Sequence, residues 1–362
     1  MTMAQKRLAV LLGLLTVLLG SLISIRVLSQ MDWNPTVFVA FGEESVATRE
    51  YGEERLGDLV LRQMQGHDGR FFFIQANDPW VTDPETNANI MDRPLYRSQR
   101  MLYPVLAGGA GLFGPETIVW AMLAVNLVAL GIGTWITALI AIEMGGSPLW
   151  GLAFALNLGF VSEIIISGAG IVAAAAAFGA VLMFMRDRIP VGIALLALAA
   201  LSREAMLIAA AGTAVWLWMD KRRKPAVLTA LVPGVVVLAW AFYLRMRIEG
   251  SVVDQVREIG WPFVGFFEAF QTWLGRPADL VTGIAILVLF VLYTRRVLMG
   301  RQLVGWAFLG FVLLGVMFTE QVWRSLFDIS RAVAPIITSF VLLVFLGTTD
   351  RDGSDKTLTR VG

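Results

Sequence analysis

Long apolar runs recur along the whole chain and are separated by short polar or charged segments. An uncharged run of about 18 residues or more is long enough to cross a bilayer as a helix. The runs lie near residues 8–28, 117–142, 148–167, 169–185, 190–202, 204–219, 225–244, 278–294, 303–318 and 332–348. The pattern predicts an all-α, polytopic transmembrane protein with about ten spans.

The basic residues between the runs predict which side of the membrane each segment faces. Cytoplasmic segments are enriched in lysine and arginine. With ten crossings and the N-terminus inside, every lysine of the chain (Lys6, Lys221, Lys224 and Lys356) lies on the cytoplasmic side. We therefore expect a multi-pass protein of the plasma or inner cell membrane with both termini in the cytoplasm.

Two stretches leave alternatives for this topology. Residues 101–113 form either an eleventh span or a surface-lying or re-entrant segment, and the charge bias favours the second because an eleventh span would move the basic clusters outside. Residues 190–219 form either one long tilted helix or two short helices broken at Ser202-Arg203-Glu204. The same bias favours two short crossings.

These assignments divide the chain into one transmembrane domain, residues 1–348, and a cytoplasmic tail, residues 349–362. Residues 29–116 form a long first outer loop. Residues 245–276 form a second outer loop, and its high density of tryptophan and phenylalanine suits a membrane interface.

Composition narrows the chemistry. Hydrophobic residues make up 57% of the chain and charged residues only 16%, and the net charge of +1 gives no bulk basic character for nucleic acid. The absence of cysteine excludes disulfides and thiolate sites, and the single histidine, His67, excludes multi-histidine metal sites. No cofactor is predicted, although Asp78, Asp83, Glu85 and Asp92 are oxygen ligands suited to Mg²⁺ or Ca²⁺.

The first outer loop holds a candidate catalytic acid. Asp68 precedes Gly69 and the aromatic run Phe71 to Phe73, which we expect to enter the membrane interface. A carboxylate held at the membrane surface is well placed to act as a general base. The alternative is that Asp68 caps the N-terminus of a helix over residues 69–77.

Arginines follow in the same loop. Arg93, Arg97 and Arg100 crowd the start of the interfacial segment, and the spacing of the last two places them on one helical face. Guanidinium groups suit phosphate because they donate bidentate hydrogen bonds. The alternative is salt bridging to Asp92 and to lipid headgroups.

Ionisable residues in or beside the apolar runs are further candidates, because such residues are costly in a membrane. Glu163 is either a site residue or the partner of a structural arginine. Arg203 and Glu204 either serve the site or neutralise each other. Arg331 binds a carrier phosphate, or else it contacts a lipid headgroup or pairs with Asp328.

Short motifs in the chain resemble those of a known superfamily. Residues 68–76 read Asp-Gly-x-x-aromatic-x-x-x-Ala, and residues 96–104 read Tyr-Arg-x-Gln-Arg-x-Leu-Tyr-Pro. Together with Leu201-Ser202-Arg203-Glu204 and the Arg-x-x-x-Pro of residues 331–335, this order resembles bacterial membrane glycosyltransferases of the GT-C superfamily. The resemblance implies a GT-C-like fold, with juxtamembrane helices and a catalytic acid in the first outer loop.

The resemblance also implies an activity: transfer of a sugar from a polyprenyl-phosphate carrier to an extracytoplasmic glycan or glycolipid acceptor. The implied catalytic candidates are Asp68, Glu163 and Glu204. The implied substrate and phosphate ligands are Arg93, Arg97, Arg100, Tyr103, Arg203 and Arg331. The alternatives are a lipid or solute transporter or flippase, and a non-catalytic membrane protein of envelope assembly.

Overall fold

The computed structural model describes residues 2–249 and 258–346. Within these ranges the chain is helical and has no β-strand, which confirms the all-α prediction. The helices are α1 (Met3–Ser29), α2 (Val46–Leu56), α3 (Gly69–Asn77), α4 (Pro84–Ile90), α5 (Pro94–Ser98), α6 (Leu102–Ala107), α7 (Pro115–Glu143), α8 (Leu152–Ala155), α9 (Leu158–Ile165), α10 (Gly170–Met185), α11 (Ile189–Ser202), α12 (Leu207–Met219), α13 (Arg223–Arg247), α14 (Val264–Trp273), α15 (Pro277–Met299), α16 (Leu303–Val316), α17 (Glu320–Trp323), α18 (Leu326–Ala332) and α19 (Ala334–Leu346).

Among the described residues, four helices, α1, α7, α13 and α15, are long and apolar enough to cross a membrane. Two bent pairs raise the number to six if each pair is one span: residues 148–165, bent by 48°, and 326–346, bent by 64°. The remaining apolar helices have only 10–17 residues. A 14-residue helix is about 21 Å long, short of the ~30 Å hydrocarbon core. The structure therefore supports a multi-pass membrane protein, while the number of ten spans stays a prediction.

The central helices pack closely because small residues line their contacts. A Cβ atom on Gly13 of α1 would lie 2.9 Å from the carbonyl oxygen of Gly131 of α7, and a Cβ atom on Gly131 would meet Gly13 at the same distance. The alanines 173–177 of α10 are mostly buried, and α10 contacts both α7 and α11. Small side chains of this kind let membrane helices approach backbone to backbone.

The first outer loop folds against the bundle. Every residue of α3 from Gly69 to Ala76 is buried, and α3 contacts α6 and α7. Phe71, Phe72 and Phe73 therefore pack inside the protein, and the expectation that they enter the membrane interface was wrong. Residues 101–113 do not form one continuous helix: α6 ends at Ala107, and a 3₁₀ turn follows at Gly109–Gly111.

The stretch 190–219 is broken, as the charge pattern favoured. Helix α11 ends at Ser202, Arg203 has an extended backbone, and a 3₁₀ turn at Glu204–Met206 leads into α12. In the second outer loop, α14 buries Phe266 and Trp273 against Trp323. Residues 250–257 of that loop and the predicted tail 349–362 lie outside the described residues.

The bundle has two distinct ends. The basic end gathers the turns that follow α7, α10, α12 and α15. Three hydrogen bonds join these turns: Arg186–Glu143, Arg222–Asp187 and Trp216–Arg301. The ion-pair end gathers the N-terminus of α3, the end of α5 and the residues that follow it, the end of α9, the break at Arg203, and α18. Helices α10, α11 and α12 run between the two ends.

Candidate functional site: an ion-pair cluster around Asp68

Asp68 lies at the centre of the ion-pair end. Its carboxylate accepts a hydrogen bond from Arg97 Nη1 at 2.8 Å, lies 3.4 Å from Arg331 Nη2, and lies 3.7 Å from Arg100 Nη1. The predicted helix over 69–77 is present as α3, but Asp68 makes no capping hydrogen bond to it. Its backbone is helical (φ −60°, ψ −27°), whereas a capping residue is usually extended. The capping alternative was therefore wrong.

Arg97 and Arg100 both reach Asp68, from a segment about 30 residues further along. Arg97 also donates through Nε and Nη2 to the two oxygens of Asp92, at 3.0 and 3.1 Å. The alternative of a salt bridge to Asp92 is thus also correct for this arginine. Arg100 donates through Nε and Nη2 to Glu204, at 3.1 Å each. Both arginines therefore have one carboxylate partner in addition to Asp68.

Arg331 connects two of the candidate acids. Located in α18, it donates from Nε to Glu163 at 3.1 Å and reaches Asp68 through Nη2. Its Nη1 lies 3.4 Å from Asp328, so the local pair expected as an alternative is also present. Its side chain is 11% exposed. Arg331 therefore joins α18 to both α3 and α9.

Glu163 is the most buried acid of the group, with a side chain only 2% exposed. It pairs with Arg331 and lies 3.7 Å from Arg203 Nη1, while the amide of Gly170 donates to it at 3.1 Å. A Cβ atom on Gly168 would lie 1.6 Å from its Oε2 atom. Glu163 is thus enclosed by backbone and arginine, which suits a residue that positions the arginines more than one that exchanges protons with a substrate.

Arg203 and Glu204 do not neutralise each other, although they are adjacent in sequence. Arg203 pairs with Glu163, and Glu204 pairs with Arg100. The break between α11 and α12 sends the two side chains to different partners. Arg203 and Glu204 therefore connect the break between α11 and α12 to the cluster through two separate ion pairs.

The inner cluster contains four guanidinium groups and three carboxylates, and so has one positive charge in excess. Its members are Arg97, Arg100, Arg203, Arg331, Asp68, Glu163 and Glu204. Asp92 and Asp328 add negative charge at its rim. Burial favours the neutral acid of Asp68, but Arg97, Arg331 and Arg100 outweigh it and hold the pKa of Asp68 well below its usual range. Asp68 is therefore an ionised and weakly basic carboxylate in this structure.

Two predicted site residues lie outside the inner cluster. Arg93 binds Glu258 at 2.6 Å and lies 3.6 Å from Asp92, so it belongs to the rim. Tyr103 is fully buried, and its hydroxyl donates to the Met122 carbonyl at 2.9 Å. The structure does not bring Tyr103 into contact with the arginines.

Two residues of the cluster were not singled out from the sequence. Tyr96 accepts a hydrogen bond from Arg100 Nη2 at 2.7 Å, and its ring lies near the guanidinium groups of Arg93, Arg97 and Arg100. The position of Tyr96 at the start of the 96–104 motif could have identified it as a site residue from the sequence.

The second is Arg70, which is 5% exposed and whose Nε and Nη1 atoms have no hydrogen-bond partner among the described residues. Burial lowers the pKa of Arg70 to about 10. Arg70 is next to the cluster, because its guanidinium group and that of Arg97 both lie over the ring of Phe71, at 4.5 and 4.2 Å from the ring centroid. The position of Arg70, two residues after Asp68, could have identified it as a site residue from the sequence.

Three of the four acids suggested as Mg²⁺ ligands, Asp78, Asp83 and Asp92, are engaged by nearby residues. Asp78 accepts from the backbone and hydroxyl of Thr82, and Asp83 caps α4 through Thr86. Over residues 2–249 and 258–346, no group of three or more histidine and acidic side chains is arranged to hold a metal ion.

The cluster can bind an anion and can offer a carboxylate next to it. Several arginine donors converge at one end of a membrane-capable bundle, and their exposures of 11–12% leave their outer edges within reach of a ligand. Such partly desolvated guanidinium groups bind phosphate strongly. No family model, curated protein or solved structure matches this chain.

Proposed function

We propose that this chain is a membrane glycosyltransferase that moves a sugar from a polyprenyl-phosphate carrier to an acceptor at the ion-pair end. The observation that carries the proposal is the convergence of Arg97, Arg100 and Arg331 on Asp68, from segments far apart in sequence. The site combines a phosphate-binding group with a carboxylate, which are the two groups that sugar transfer from a phosphate carrier requires. The motif resemblance to the GT-C superfamily supports the same reaction.

The arginines would stabilise the leaving phosphate. In the reaction, the acceptor hydroxyl oxygen attacks the anomeric carbon, and the bond from that carbon to the phosphate oxygen breaks. The carrier phosphate keeps the electron pair, and the hydroxyl proton passes to Asp68. Preorganised donors aimed at the developing phosphate charge lower the barrier because they need no reorganisation at the moment of transfer.

Phosphate binding would also activate Asp68. Without a ligand, its three arginine partners make Asp68 a poor base. A phosphate competes for the same guanidinium groups, because both are anions and the arginines have few free donors. When Arg97 and Arg331 turn to the phosphate, the pKa of Asp68 rises toward its ordinary range and the carboxylate can accept a proton. Carrier binding and base activation are then one event.

In the proposed topology, the ion-pair end faces out of the cell and the basic end faces the cytoplasm. Ten passes with both termini inside, in the cell membrane, place every lysine of the chain at the basic end or in the terminal segments. The short helices α10, α11 and α12 run from one end to the other, and a locally thin or water-filled region would let them count as spans.

Asp68→Asn tests the catalytic role. Membranes containing the variant, supplied with labelled polyprenyl-phosphate sugars, should transfer sugar about 10²–10⁴-fold more slowly, the usual worth of acid–base catalysis. Asp58→Asn, an exposed acid of the same outer loop, is the matched control and should transfer at the wild-type rate. An Asp68→Asn variant as active as the wild type would remove Asp68 as the base.

Binding of polyprenyl phosphate without sugar separates the reaction from the site. Arg331→Lys retains the charge but not the bidentate geometry, so it should weaken binding of the carrier. If the arginine variants lose carrier binding and no donor sugar is transferred even by the wild type, the site is an anion site without transferase activity. That result would favour the flippase or scaffold alternatives.

A further inference from the structure

A second site candidate lies at the basic end, far from Asp68. The turns there enclose an open cavity of about 630 Å³. This volume is within the usual range of small-molecule sites, about 300–1,000 Å³. One part of its wall is apolar and includes Met144, Phe184, Met185 and Leu303, whereas charged and amide side chains form the rest. The cavity therefore suits an amphipathic ligand, with an apolar part against the first wall and a polar part against the second.

The mouth of the cavity carries both signs of charge. Arg222 and Asp187 pair with each other there. Arg301 and Asp220 also line the cavity, are exposed, and make no ion pair among the described residues. The cation of Arg301 and the anion of Asp220 are therefore available to a ligand. A zwitterionic headgroup complements this arrangement better than an anionic one, since the four charged side chains at the mouth sum to zero.

A polar group beside this mouth also lacks a partner. Gln302 lines the cavity, and its side-chain oxygen is buried without a hydrogen-bond donor in the part of the chain that the structure describes. A buried acceptor without a donor is unfavourable, because it has lost its hydrogen bonds to water and has gained none in the protein. A ligand that carries N–H donors would remove this cost, whereas a quaternary ammonium would not.

The position of the cavity favours a lipid as the source of this headgroup. It lies where α10, α12 and α16 meet the turns, and these helices have 16, 13 and 14 residues. At about 1.5 Å per residue they extend roughly 20–24 Å, so they leave part of a ~30 Å hydrocarbon core to be filled or thinned. A lipid whose chains rest on the apolar wall would fill this region.

We propose that the cavity at the basic end binds a phospholipid whose headgroup combines a phosphate diester with a primary ammonium. The phosphate pairs with Arg301, the ammonium donates to Asp220 and Gln302, and an acyl chain covers Met144 and Phe184. The site lies at the opposite end from the proposed transferase site. The proposed lipid site does not depend on the proposed transferase site.

Lipid binding to the purified full chain tests this assignment. Native mass spectrometry in a non-ionic detergent would compare phosphatidylethanolamine, phosphatidylglycerol and phosphatidylcholine with identical chains. Phosphatidylethanolamine should bind about tenfold more tightly than the other two, because each of them loses at least one hydrogen bond to a charged group. Equal binding of all three lipids, or preference for phosphatidylglycerol, would overturn the headgroup assignment.

Variants of the mouth locate the site. Arg301→Gln and Asp220→Asn should each weaken phosphatidylethanolamine binding about tenfold. Arg295→Gln, an exposed arginine of the same end that does not line the cavity, is the matched control and should bind normally. Wild-type binding by both mouth variants would refute the site. Binding of soluble phosphoethanolamine as tight as that of the lipid would refute the lipid as the natural source.

Discussion

Both ends of the bundle are rich in arginine, but they hold it in opposite ways. At the ion-pair end the side chains of Arg97, Arg100 and Arg331 are 11–12% exposed, and each touches at least two carboxylates. At the basic end Arg222 is 31% exposed, and its partner Asp187 is 75% exposed. The first set is desolvated and fixed by partners, whereas the second remains hydrated.

The difference follows from the cost of desolvating charge. A guanidinium removed from water needs a carboxylate with good geometry, and losing one partner of a buried pair costs several kcal/mol. A hydrated arginine needs no partner, and a surface pair contributes about 0–1 kcal/mol. Arginines at the ion-pair end are therefore held in fixed positions by their carboxylate partners. Those at the basic end mainly supply charge, and this charge is what the topology prediction used.

The largest effect expected from this comparison is an all-or-none difference in labelling. The chain has no cysteine, so single cysteines can be placed at the two ends of α7. Glu116→Cys should react with an impermeant reagent on intact cells, and Ser147→Cys should react only after permeabilisation. Both residues are exposed in the structure, whereas Ser98 is buried and is unsuited to labelling. The reverse pattern would invert the assignment of outside and inside.

The next effect is on stability. Glu163→Gln removes the carboxylate that holds Arg331 and Arg203, and should lower the free energy of unfolding by about 3–5 kcal/mol. Glu320→Gln breaks the more exposed Glu320–Arg324 pair at the same end and should cost at most about 1 kcal/mol. Thermal unfolding in detergent compares the two. Equal costs would mean that the inner cluster is as hydrated as the surface.

A smaller effect is expected from crowding the same acid. Gly168→Ala places a methyl group in the volume of the Glu163 carboxylate and should destabilise the protein by about 1–3 kcal/mol, as overpacking usually does. Gly234→Ala, in α13, is the matched control, because the added methyl group meets no atom of residues 2–249 and 258–346 within 4 Å. It should be neutral or slightly stabilising, because alanine favours helix. A harmless Gly168→Ala would show that Glu163 can move freely.

The smallest effect expected is that of pH near neutrality. Because the folded-state pKa of Asp68 lies below its unfolded value of about 3.9, its contribution to stability is complete above that value and is lost as the pH falls toward the folded pKa. The difference in unfolding midpoint between wild type and Asp68→Asn should stay constant from about pH 8 to pH 5. It should narrow below about pH 4. A change between pH 6 and pH 8 would mean that the arginines do not hold Asp68 in its ionised form.

Much of the site could be predicted because charge in an apolar sequence must find a partner. Asp68, Glu163, Arg203, Glu204 and Arg331 stood out against hydrophobic surroundings, and the structure brings all of them together with Arg97 and Arg100. The break at Arg203 was foreseen from the positive-inside bias, since a single crossing over residues 190–219 would place the basic cluster 221–224 outside the cell.

The partners themselves could not be predicted. Sequence proximity suggested that Arg203 pairs with Glu204, but adjacent residues of a helix do not face each other, and the extended backbone at Arg203 separates them further. Tyr103 belonged to the same motif as Arg97, yet it packs in the core and bonds to α7. The burial of Phe71 to Phe73 also depended on contacts with α6 and α7 that no local pattern contains.

The sequence by itself determined the helical class, the membrane-capable segments and the set of charged residues that had to be neutralised. Hydrophobic period and length fix these features locally, residue by residue. Only the tertiary structure decided that Asp68 accepts from arginines of two distant segments instead of capping α3, and that Glu163 holds those arginines in place. Such pairing depends on distances between segments separated by up to 263 residues, and these distances are set by the packing of the whole bundle.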